Sequence, residues 1–312
     1  MAGSDSIRVF APATVANVTC GFDVLGFAVN HPGDEIVLRK TNTDKIVIKA
    51  IHGDGGRLTL DPNFNTVSIP VIKYLEKYGI KQGLEIELFK HMPLGSGLGS
   101  SAASSVAGVF AVDKLLGLNK TVEEMLPFAM EGELIACGAA HADNVAPCLY
   151  GGFVLVRSYD PLEIVRINTP QGMYCSLVHP HVEVQTKDAR NALPREIPLG
   201  TAVTQWGNVA GLVVGLMKSD FGLIGRSMQD VVAEPARAGL IPGFYSVKES
   251  ALNAGAIGAG ISGSGPSIFA LSDSPEKANK IAEAMAAAFA KIGIGSETYV
   301  SEVNHQGPVV MD

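Results

Sequence analysis

The 312-residue sequence has few charged residues, no run of basic residues and no long uninterrupted apolar stretch. Only 18 % of the residues are charged and 47 % are hydrophobic, which is typical of a well-packed globular protein and not of a disordered chain. A formal net charge of −7, without clustered lysine or arginine, argues against nucleic acid as a partner. A small-molecule site is therefore expected.

The sequence also lacks a Cys-x-x-Cys pair, so its cysteines indicate neither a zinc site nor a redox motif. We expect free thiols in a reducing compartment at Cys20, Cys137, Cys148 and Cys175. No stretch of about eighteen apolar residues occurs, and the N-terminus does not have the pattern of a signal peptide. These absences predict a cytoplasmic protein with no membrane partner.

One stretch holds more glycine and serine than a hydrophobic core would use. Residues 93–105 read Pro-Leu-Gly-Ser-Gly-Leu-Gly-Ser-Ser-Ala-Ala-Ser-Ser. A strand-like alternation precedes them at 84–89, and an apolar helical run follows at 102–116. The order strand, glycine loop, helix is the context that a phosphate-binding loop requires.

The chemistry of this loop favours an anion. Its glycines allow positive φ and close approach of the backbone to a ligand, and the serine pair Ser100-Ser101 is predicted to cap the helix. A helix N-terminus supplies free N–H groups and the positive end of a dipole. No Gly-Lys-Ser/Thr follows, so the loop is not a P-loop. The simpler alternative, a turn that only connects a strand to a helix, is disfavoured by the density of glycine and serine.

A serine hydrolase is a second alternative, with Ser101 as nucleophile and His141 and Asp143 as its partners. The several glycines before the serine and the close, wrongly ordered His/Asp pair fit a nucleophile elbow poorly.

At residues 93–102 the sequence resembles the GHMP kinase superfamily, whose signature is Pro-x-x-x-Gly-Leu-Gly-Ser-Ser-Ala. The resemblance implies a two-domain α+β fold. Residues 1–158 would form an ATP-binding domain similar to the second domain of ribosomal protein S5, and residues 159–312 a ferredoxin-like domain. Residues 258–263 match Gly-x-Gly-x-x-Gly, but a strand follows them instead of a helix, so they are not a Rossmann loop. They resemble the third GHMP motif, a glycine loop beside the phosphate site.

Two further motifs are similar to the homoserine kinase branch of this superfamily. They are Ala-Asn-x-x-x-Gly-Phe-Asp at residues 16–23 and His-x-Asp-Asn-x-Ala-Pro at residues 141–147. The resemblance implies that Asn17, Asp23, His141 and Asn144 surround L-homoserine, and that Arg190 and Arg237 bind its carboxylate. Asp143 matches a catalytic aspartate of mevalonate kinases, whereas the homoserine branch is thought to work without a dedicated base, so its role stays open.

The resemblance also implies ATP and Mg²⁺ as cofactors. The expected nucleotide contacts are Asn65, Pro93, Leu94, Gly95, Ser96, Gly97, Leu98, Gly99, Ser100, Ser101, Ala102 and Ala103. Asn65 would meet the adenine or simply cap a helix, and Ser101 with Glu133 would bind Mg²⁺. The product would be O-phospho-L-homoserine, on the route to threonine. A homodimer is also a possible form of the protein. Another GHMP kinase or a non-catalytic sensor are the alternatives; a sensor would lose Glu133 or the arginines, which this sequence retains.

Overall fold

Two β-sheets flanked by helices make up the protein. The structure is a computed structural model that describes residues 5–138 and 141–311, apart from the side chains of residues 136 and 137. The strands are β1 (Ser6–Ala16), β2 (Leu25–Thr41), β3 (Ile46–His52), β4 (Gly83–Phe89), β5 (Phe153–Tyr159), β6 (Leu162–Ile167), β7 (Tyr174–Pro180), β8 (Gly258–Ile261), β9 (Ile268–Ser272), β10 (Ser296–Glu302) and β11 (Val309–Met311). The helices are α1 (Ser68–Tyr78), α2 (Ser100–Leu116), α3 (Val122–Cys137), α4 (Ala142–Tyr150), α5 (Thr186–Asn191), α6 (Leu199–Lys218), α7 (Phe221–Ser227), α8 (Ala233–Arg237), α9 (Phe244–Asn253) and α10 (Pro275–Lys291).

The first sheet has the order β11-β1-β2-β4-β3, and the hairpin β5–β6 continues it from the start of β2. The alternating patterns at 35–40 and 45–51 predict an antiparallel pair, and this prediction is wrong. Strand β4 lies between them, antiparallel to β2 and parallel to β3. Leu84, Ile86 and Leu88 of β4 are completely buried, so β4 takes the position in which both of its edges are paired.

The second sheet has the order β10-β7-β9-β8, and all of its strand pairs are antiparallel. Helices α9 and α10 pack on it and bury Phe244, Met285 and Phe289 in a separate core. This strand order confirms the ferredoxin-like half of the predicted α+β fold. The chain passes from the first sheet to the second between β6 and β7, and β11 returns to the first. The predicted division at residue 158 thus falls within the β5–β6 hairpin; the division into two domains stays a prediction.

Three of the four cysteines are free and buried: Cys20, Cys148 and Cys175. Burial raises the pKa of the Cys20 thiol to about 11, so this thiol stays protonated and unreactive. The side chain of Cys137 lies outside the described part of the chain. Across residues 5–138 and 141–311, none of the helices is both long and apolar enough to cross a membrane.

Candidate active site

The glycine loop before α2 has the backbone geometry that its sequence predicts. Gly95, Gly97 and Gly99 have φ values of 70°, 78° and 71°, in the left-handed region that favours glycine. A Cβ on Gly97 would lie 2.4 Å from the carbonyl oxygen of Ser262, and one on Gly99 would lie 2.0 Å from Oγ1 of Thr14. Gly97 and Gly99 are therefore required by close packing as well as by backbone conformation, and Gly95 by backbone conformation alone.

Helix α2 begins with its N–H groups open to a ligand. Its first backbone hydrogen bond runs from Ala103 N to Gly99 O, at 2.8 Å, so the N–H groups before Ala103 have no helical acceptor. The predicted serine cap is wrong, because Gly99 occupies the N-cap position and Ser100 instead donates its hydroxyl to Oδ2 of Asp34, at 2.8 Å. With no side chain of its own placed over the helix end, the loop leaves room for an anion.

Seven other residues that are predicted to contact the nucleotide lie in this loop or at the start of α2. Ser96, Leu98, Ala102 and Ala103 are buried, and Pro93, Leu94 and Ser101 are half-buried. Oγ of Ser96 is buried and has no hydrogen-bond partner among the residues that the structure describes. An unpaired buried hydroxyl is costly and suits a site that a polar ligand completes.

The second glycine segment lies against the first, as predicted. Ser262 donates its hydroxyl to the carbonyl oxygen of Gly97 at 2.7 Å, and Ser267 N donates to Ser96 O at 3.2 Å. The segment is only partly a loop, because residues 258–261 form β8. Residues 262–266 alone make the turn beside the glycine loop that precedes α2.

A buried ion pair beneath the loop was missed at the level of sequence. Lys90 forms a salt bridge with Asp34, and both side chains are almost fully buried. The Lys90 amino group also donates to the carbonyl oxygen of Ser100 at 2.8 Å and to Oγ of Ser104 at 2.7 Å. Asp34 Oδ1 accepts from the backbone N–H groups of His91 and Met92. This network fixes the first turn of α2 to the start of the loop.

The turn at residues 17–23 has an unusual backbone. Asn17, Val18, Thr19 and Asp23 all have positive φ, which is strained for β-branched residues. Asn17 holds the turn in place, because its Oδ1 accepts from Asp23 N at 2.9 Å and its Nδ2 donates to Gly263 O at 2.8 Å. A contact of Asn17 with substrate stays a prediction.

Both predicted arginines meet this turn. Arg190 contacts the two carboxylate oxygens of Asp23 through its two terminal nitrogens, each at 3.2 Å. Arg237 is buried and donates to the carbonyl oxygens of Ala189 and Gly263, at 2.9 and 3.2 Å. The guanidinium groups of Arg190 and Arg237 lie 5.7 and 4.9 Å from the ring centre of Phe22. Two guanidinium groups, one of them paired with Asp23, thus lie beside a single aromatic ring.

The motif at 141–147 starts helix α4. His141 is its N-cap residue, and Asp143 and Asn144 lie in its first turn. Nε2 of His141 is buried without a hydrogen-bond partner in the described ranges, and burial lowers the pKa of this histidine. Asn144 Oδ1 accepts from Thr14 Oγ1 at 2.8 Å, beside Gly99, so α4 reaches the glycine loop.

Acidic groups concentrate around Asp143. Burial, followed by the negative charges of Asp23 and Glu133, raises the pKa of Asp143 to about 7. Glu133 is also buried, on helix α3. Its neighbour Gly132 is packed against α2, where an added Cβ would lie 2.0 Å from Oγ of Ser105, one turn beyond Ser101. Glu133 therefore lies on a helix that packs against α2, the helix that follows the glycine loop.

These groups fit a Mg²⁺ ion that is bound largely through the nucleotide. Among the described residues, no three His, Cys, Asp or Glu side chains form a cluster suited to a metal. Mg²⁺ commonly takes only one or two protein oxygens and completes its shell with phosphate and water. Ser101 and Glu133 can supply that number.

Asn65 uses its side chain locally. Its Oδ1 accepts from Val67 N at 3.0 Å and its Nδ2 donates to Thr59 O at 2.7 Å, just before α1 begins at Ser68. A contact with adenine stays a prediction.

Two more side chains near the turn at residues 17–23 had no sequence motif to mark them. Tyr159 donates its hydroxyl to Asp23 O at 3.3 Å and accepts from Ala142 N at 3.2 Å, which joins the turn to α4. Glu234 is paired with Lys248 at 2.6 Å, and it lines a small pocket together with Asn17, Phe22 and Arg237.

The comparisons with known proteins agree with this geometry. The family models "GHMP kinases N terminal domain" and "GHMP kinases C terminal" match residues 65–152 and 212–291. A homoserine kinase of Chloroherpeton thalassium is 53 % identical over 97 % of this chain and 98 % of its own, and one of Chlorobium phaeovibrioides is 52 % identical over 98 % and 99 %. The crystal structure of homoserine kinase from Cytophaga hutchinsonii is 65 % identical, covers 100 % of this chain and 99 % of its own, and superposes with a TM-score of 0.98.

Proposed function

The chain belongs to the homoserine kinase family of the GHMP kinases, and we propose that it uses ATP and Mg²⁺ to phosphorylate the side-chain hydroxyl of L-homoserine. The product is O-phospho-L-homoserine. One observation carries the proposal: Thr14 and Asn144 lie against Gly99 of the glycine loop, and Thr14 comes three residues before the turn at 17–23, whose Asp23 pairs with Arg190. A phosphate site and an amino-acid site are therefore adjacent, as phosphoryl transfer requires.

The glycine loop and the start of α2 bind the nucleotide phosphates. Backbone N–H groups from Gly95 to Ser101 donate to phosphate oxygens, and the positive end of the α2 dipole adds attraction. Such groups are fixed before the ligand arrives, because Lys90 and Asp34 hold the helix start from below. Preorganised donors stabilise the charge that spreads over the transferred group in the transition state.

Changing Gly97 to alanine should lower ATP affinity by tenfold or more. The added Cβ would lie 2.4 Å from Ser262 O and 2.8 Å from Gly265 O, so one of the two loops must move. Gly117→Ala is the matched control, since Gly117 has a φ of 69° and nothing within 4 Å of its Cβ position. ATP binding is measured by calorimetry. Unchanged affinity in a folded Gly97→Ala protein would contradict the phosphate-loop assignment.

Mg²⁺ is assigned to the acidic side of the loop, at Ser101 and Glu133. When bound, the ion supplies positive charge that neutralises the phosphate oxygens and orients them for in-line transfer. Burial of Glu133 limits competition from water for its carboxylate. The protein contributes one carboxylate, from Glu133 on α3, and one hydroxyl, from Ser101 on α2.

Changing Glu133 to glutamine should raise the Mg²⁺ concentration at half-maximal velocity about tenfold, the loss of roughly one charge-assisted contact of 1.5 kcal/mol. Glutamine keeps the size of the side chain, so the fold should be retained. Glu131→Gln, an exposed position on the same helix, is the control. Velocity is titrated with Mg²⁺ at fixed free ATP, and equal titration curves for the two variants would remove Glu133 from the metal site.

Homoserine is proposed to bind at the Asp23–Arg190 pair. A zwitterion carries one positive and one negative group, so it can insert at an existing ion pair and satisfy both partners. Its ammonium group faces Asp23, and its carboxylate faces Arg190 and Arg237, where planar guanidinium groups hold a carboxylate bidentately. His141 and Asn144 then lie towards the hydroxyl end, with Asn144 nearest the phosphate loop.

Asp143 titrates in the range where a proton acceptor for the substrate hydroxyl would be useful. Its folded pKa of about 7 lies above the ordinary 3.8, so the folded state binds more protons between these values and stability falls as pH rises through this window. In Asp143→Asn this fall should be absent. Without Mg²⁺ the variant should melt about 5–8 °C above the wild type at pH 8 and close to it at pH 4, because a shift of about three pKa units corresponds to about 4 kcal/mol.

The melting temperature is measured by calorimetry, and identical pH dependence of the two proteins would contradict the raised pKa. The pH profile of kcat/KM tests separately whether Asp143 acts as a catalytic base. A rise through pH 7 that is lost in Asp143→Asn identifies a base, and an unchanged profile shows that transfer proceeds without one.

The substrate is tested by ADP release with homoserine, mevalonate and galactose. We expect turnover with homoserine alone, because mevalonate lacks the ammonium group that would face Asp23 and galactose lacks both charged groups. Turnover with mevalonate or galactose at a comparable kcat/KM would overturn the assignment.

A further inference from the structure

A buried glutamine on α6 uses both atoms of its amide group in contacts with distant parts of the chain. Gln205 is 9 % exposed. Its Nε2 donates to Cys20 O at 2.9 Å and to Asp230 Oδ1 at 3.0 Å, and its Oε1 accepts from Val231 N at 3.0 Å. The reverse orientation of the amide would place its oxygen against a carbonyl and a carboxylate, so these contacts fix the orientation. This side chain therefore connects specific groups and does not only fill space.

The first of these groups belongs to the turn at residues 17–23. Cys20 lies three residues before Asp23, the carboxylate that pairs with Arg190. Residues 17, 18, 19 and 23 have positive φ, and a strained backbone of this kind keeps its shape only while its surroundings hold it. The bond from Gln205 to Cys20 O is one such restraint. Cys20 Sγ, which donates to Ser227 O at 3.3 Å, is a weaker one.

The second group leads to Arg237. The carboxylate of Asp230 accepts from the backbone N–H groups of residues 232, 233 and 234, at 2.8, 2.9 and 2.8 Å, and so satisfies the start of α8. Arg237 is the last residue of this short helix. A single amide on α6 thus holds both the segment that carries Asp23 and the segment that carries Arg237.

We propose that Gln205 is a positioning residue, which sets the spacing between the groups that bind the two charged ends of the amino-acid substrate. This inference rests on the proposed function, in which Asp23 faces the ammonium group and Arg237 faces the carboxylate. The two segments already meet at one point, because Asn17 and Arg237 both donate to Gly263 O. Gln205 joins them at a second point, and two points of attachment restrain rotation as well as separation.

Changing Gln205 to methionine should raise KM for homoserine about tenfold and change kcat by less than about threefold. Methionine has a similar length but no N–H group, so Cys20 O and Asp230 each lose a donor. A displacement on the order of 1 Å in the binding groups is sufficient for such a loss. Both ends of the substrate are bound before transfer begins, so the loss appears in KM more than in kcat. ATP affinity, measured by calorimetry, should be unchanged.

Asn208→Ala is the matched control, because Asn208 also lies on α6 and donates to Gln229 O, in the segment before α8, at 2.8 Å. In the part of the chain that the structure describes, its side chain has no hydrogen bond to the turn at residues 17–23. Gln205→Glu is a second variant in case the methionine protein does not fold. Glutamate keeps the shape of the side chain and the oxygen that accepts from Val231 N, loses both N–H donors, and should raise KM in the same way.

The outcomes separate this inference from the proposed function. A folded Gln205 variant with the KM of the wild type, or with equal losses for ATP and homoserine, would overturn the inference and leave the proposed function intact. No turnover of homoserine by the wild type would overturn the proposed function. Hydrogen exchange then tests the role of Gln205 without any substrate: residues 17–23 and 232–237 should both exchange faster in the Gln205 variants than in the wild type and in Asn208→Ala. Unchanged exchange in either segment would overturn the inference.

Discussion

Replacing Lys90 with methionine should lower the free energy of unfolding by about 3–5 kcal/mol, because Asp34 would be left as a buried charge without its cation. Both side chains are almost fully buried, so water cannot substitute for the lost partner. The first turn of α2 would also lose the bonds from Lys90 to Ser100 and Ser104. Since this turn belongs to the proposed phosphate site, ATP affinity should fall in the same variant. Chemical denaturation and calorimetry measure the two effects.

A second substitution separates the charge from the packing. In Lys90→Met with Asp34→Asn no uncompensated charge remains, and the asparagine carbonyl can still accept from the N–H groups of His91 and Met92. The double variant should therefore recover part of the lost stability. Lys49→Met is the surface control, as Lys49 pairs with Glu85 and Glu87 in an exposed position and its loss should change little. Equal losses at Lys90 and Lys49 would contradict the role of the buried pair.

Local patterns in the sequence predicted local structure well. The capping box at Thr121 and Glu124 starts α3, and Ser274 caps α10 with a proline next to it, as the residues indicate. The three glycines of the phosphate loop have the left-handed backbone that their density suggested. In each case the cause lies within a few residues of the effect.

Predictions failed where the cause lies far away in the sequence. Ser100 does not cap α2, because its hydroxyl is bound by Asp34, 66 positions earlier. The pairing of β2 with β3 was wrong because β4, more than thirty residues later, is the better partner for both. Lys90 carried no signal of its own, since a single lysine after a strand gives no indication of a buried partner. Such non-local choices depend on tertiary packing, which overrides local pattern.

Changing Arg190 to alanine should lower kcat/KM for homoserine by about thirty- to several-hundred-fold, equivalent to roughly 2–4 kcal/mol of lost transition-state binding. The substrate carboxylate would lose one bidentate partner, and Asp23 would lose the cation that orients it. Arg237→Ala should give a loss of similar size and, because Arg237 is buried and binds Ala189 and Gly263, a loss of stability as well. Lysine at either position should restore activity only in part, since a point charge cannot reproduce the planar fork.

Steady-state kinetics with homoserine, together with a separate measurement of ATP binding, test whether the two arginines bind the substrate carboxylate. Arg195→Ala is the matched control, because Arg195 is exposed and lies five residues beyond Arg190. A loss confined to homoserine, absent in the control, supports carboxylate binding by the two arginines. Arg190 is the more decisive position, because its exposed side chain contributes little to the core and a weaker enzyme cannot then be attributed to misfolding. Equal losses for ATP and homoserine, or unchanged kinetics, would make the Asp23–Arg190 pair structural and move the amino-acid specificity to other residues of the turn.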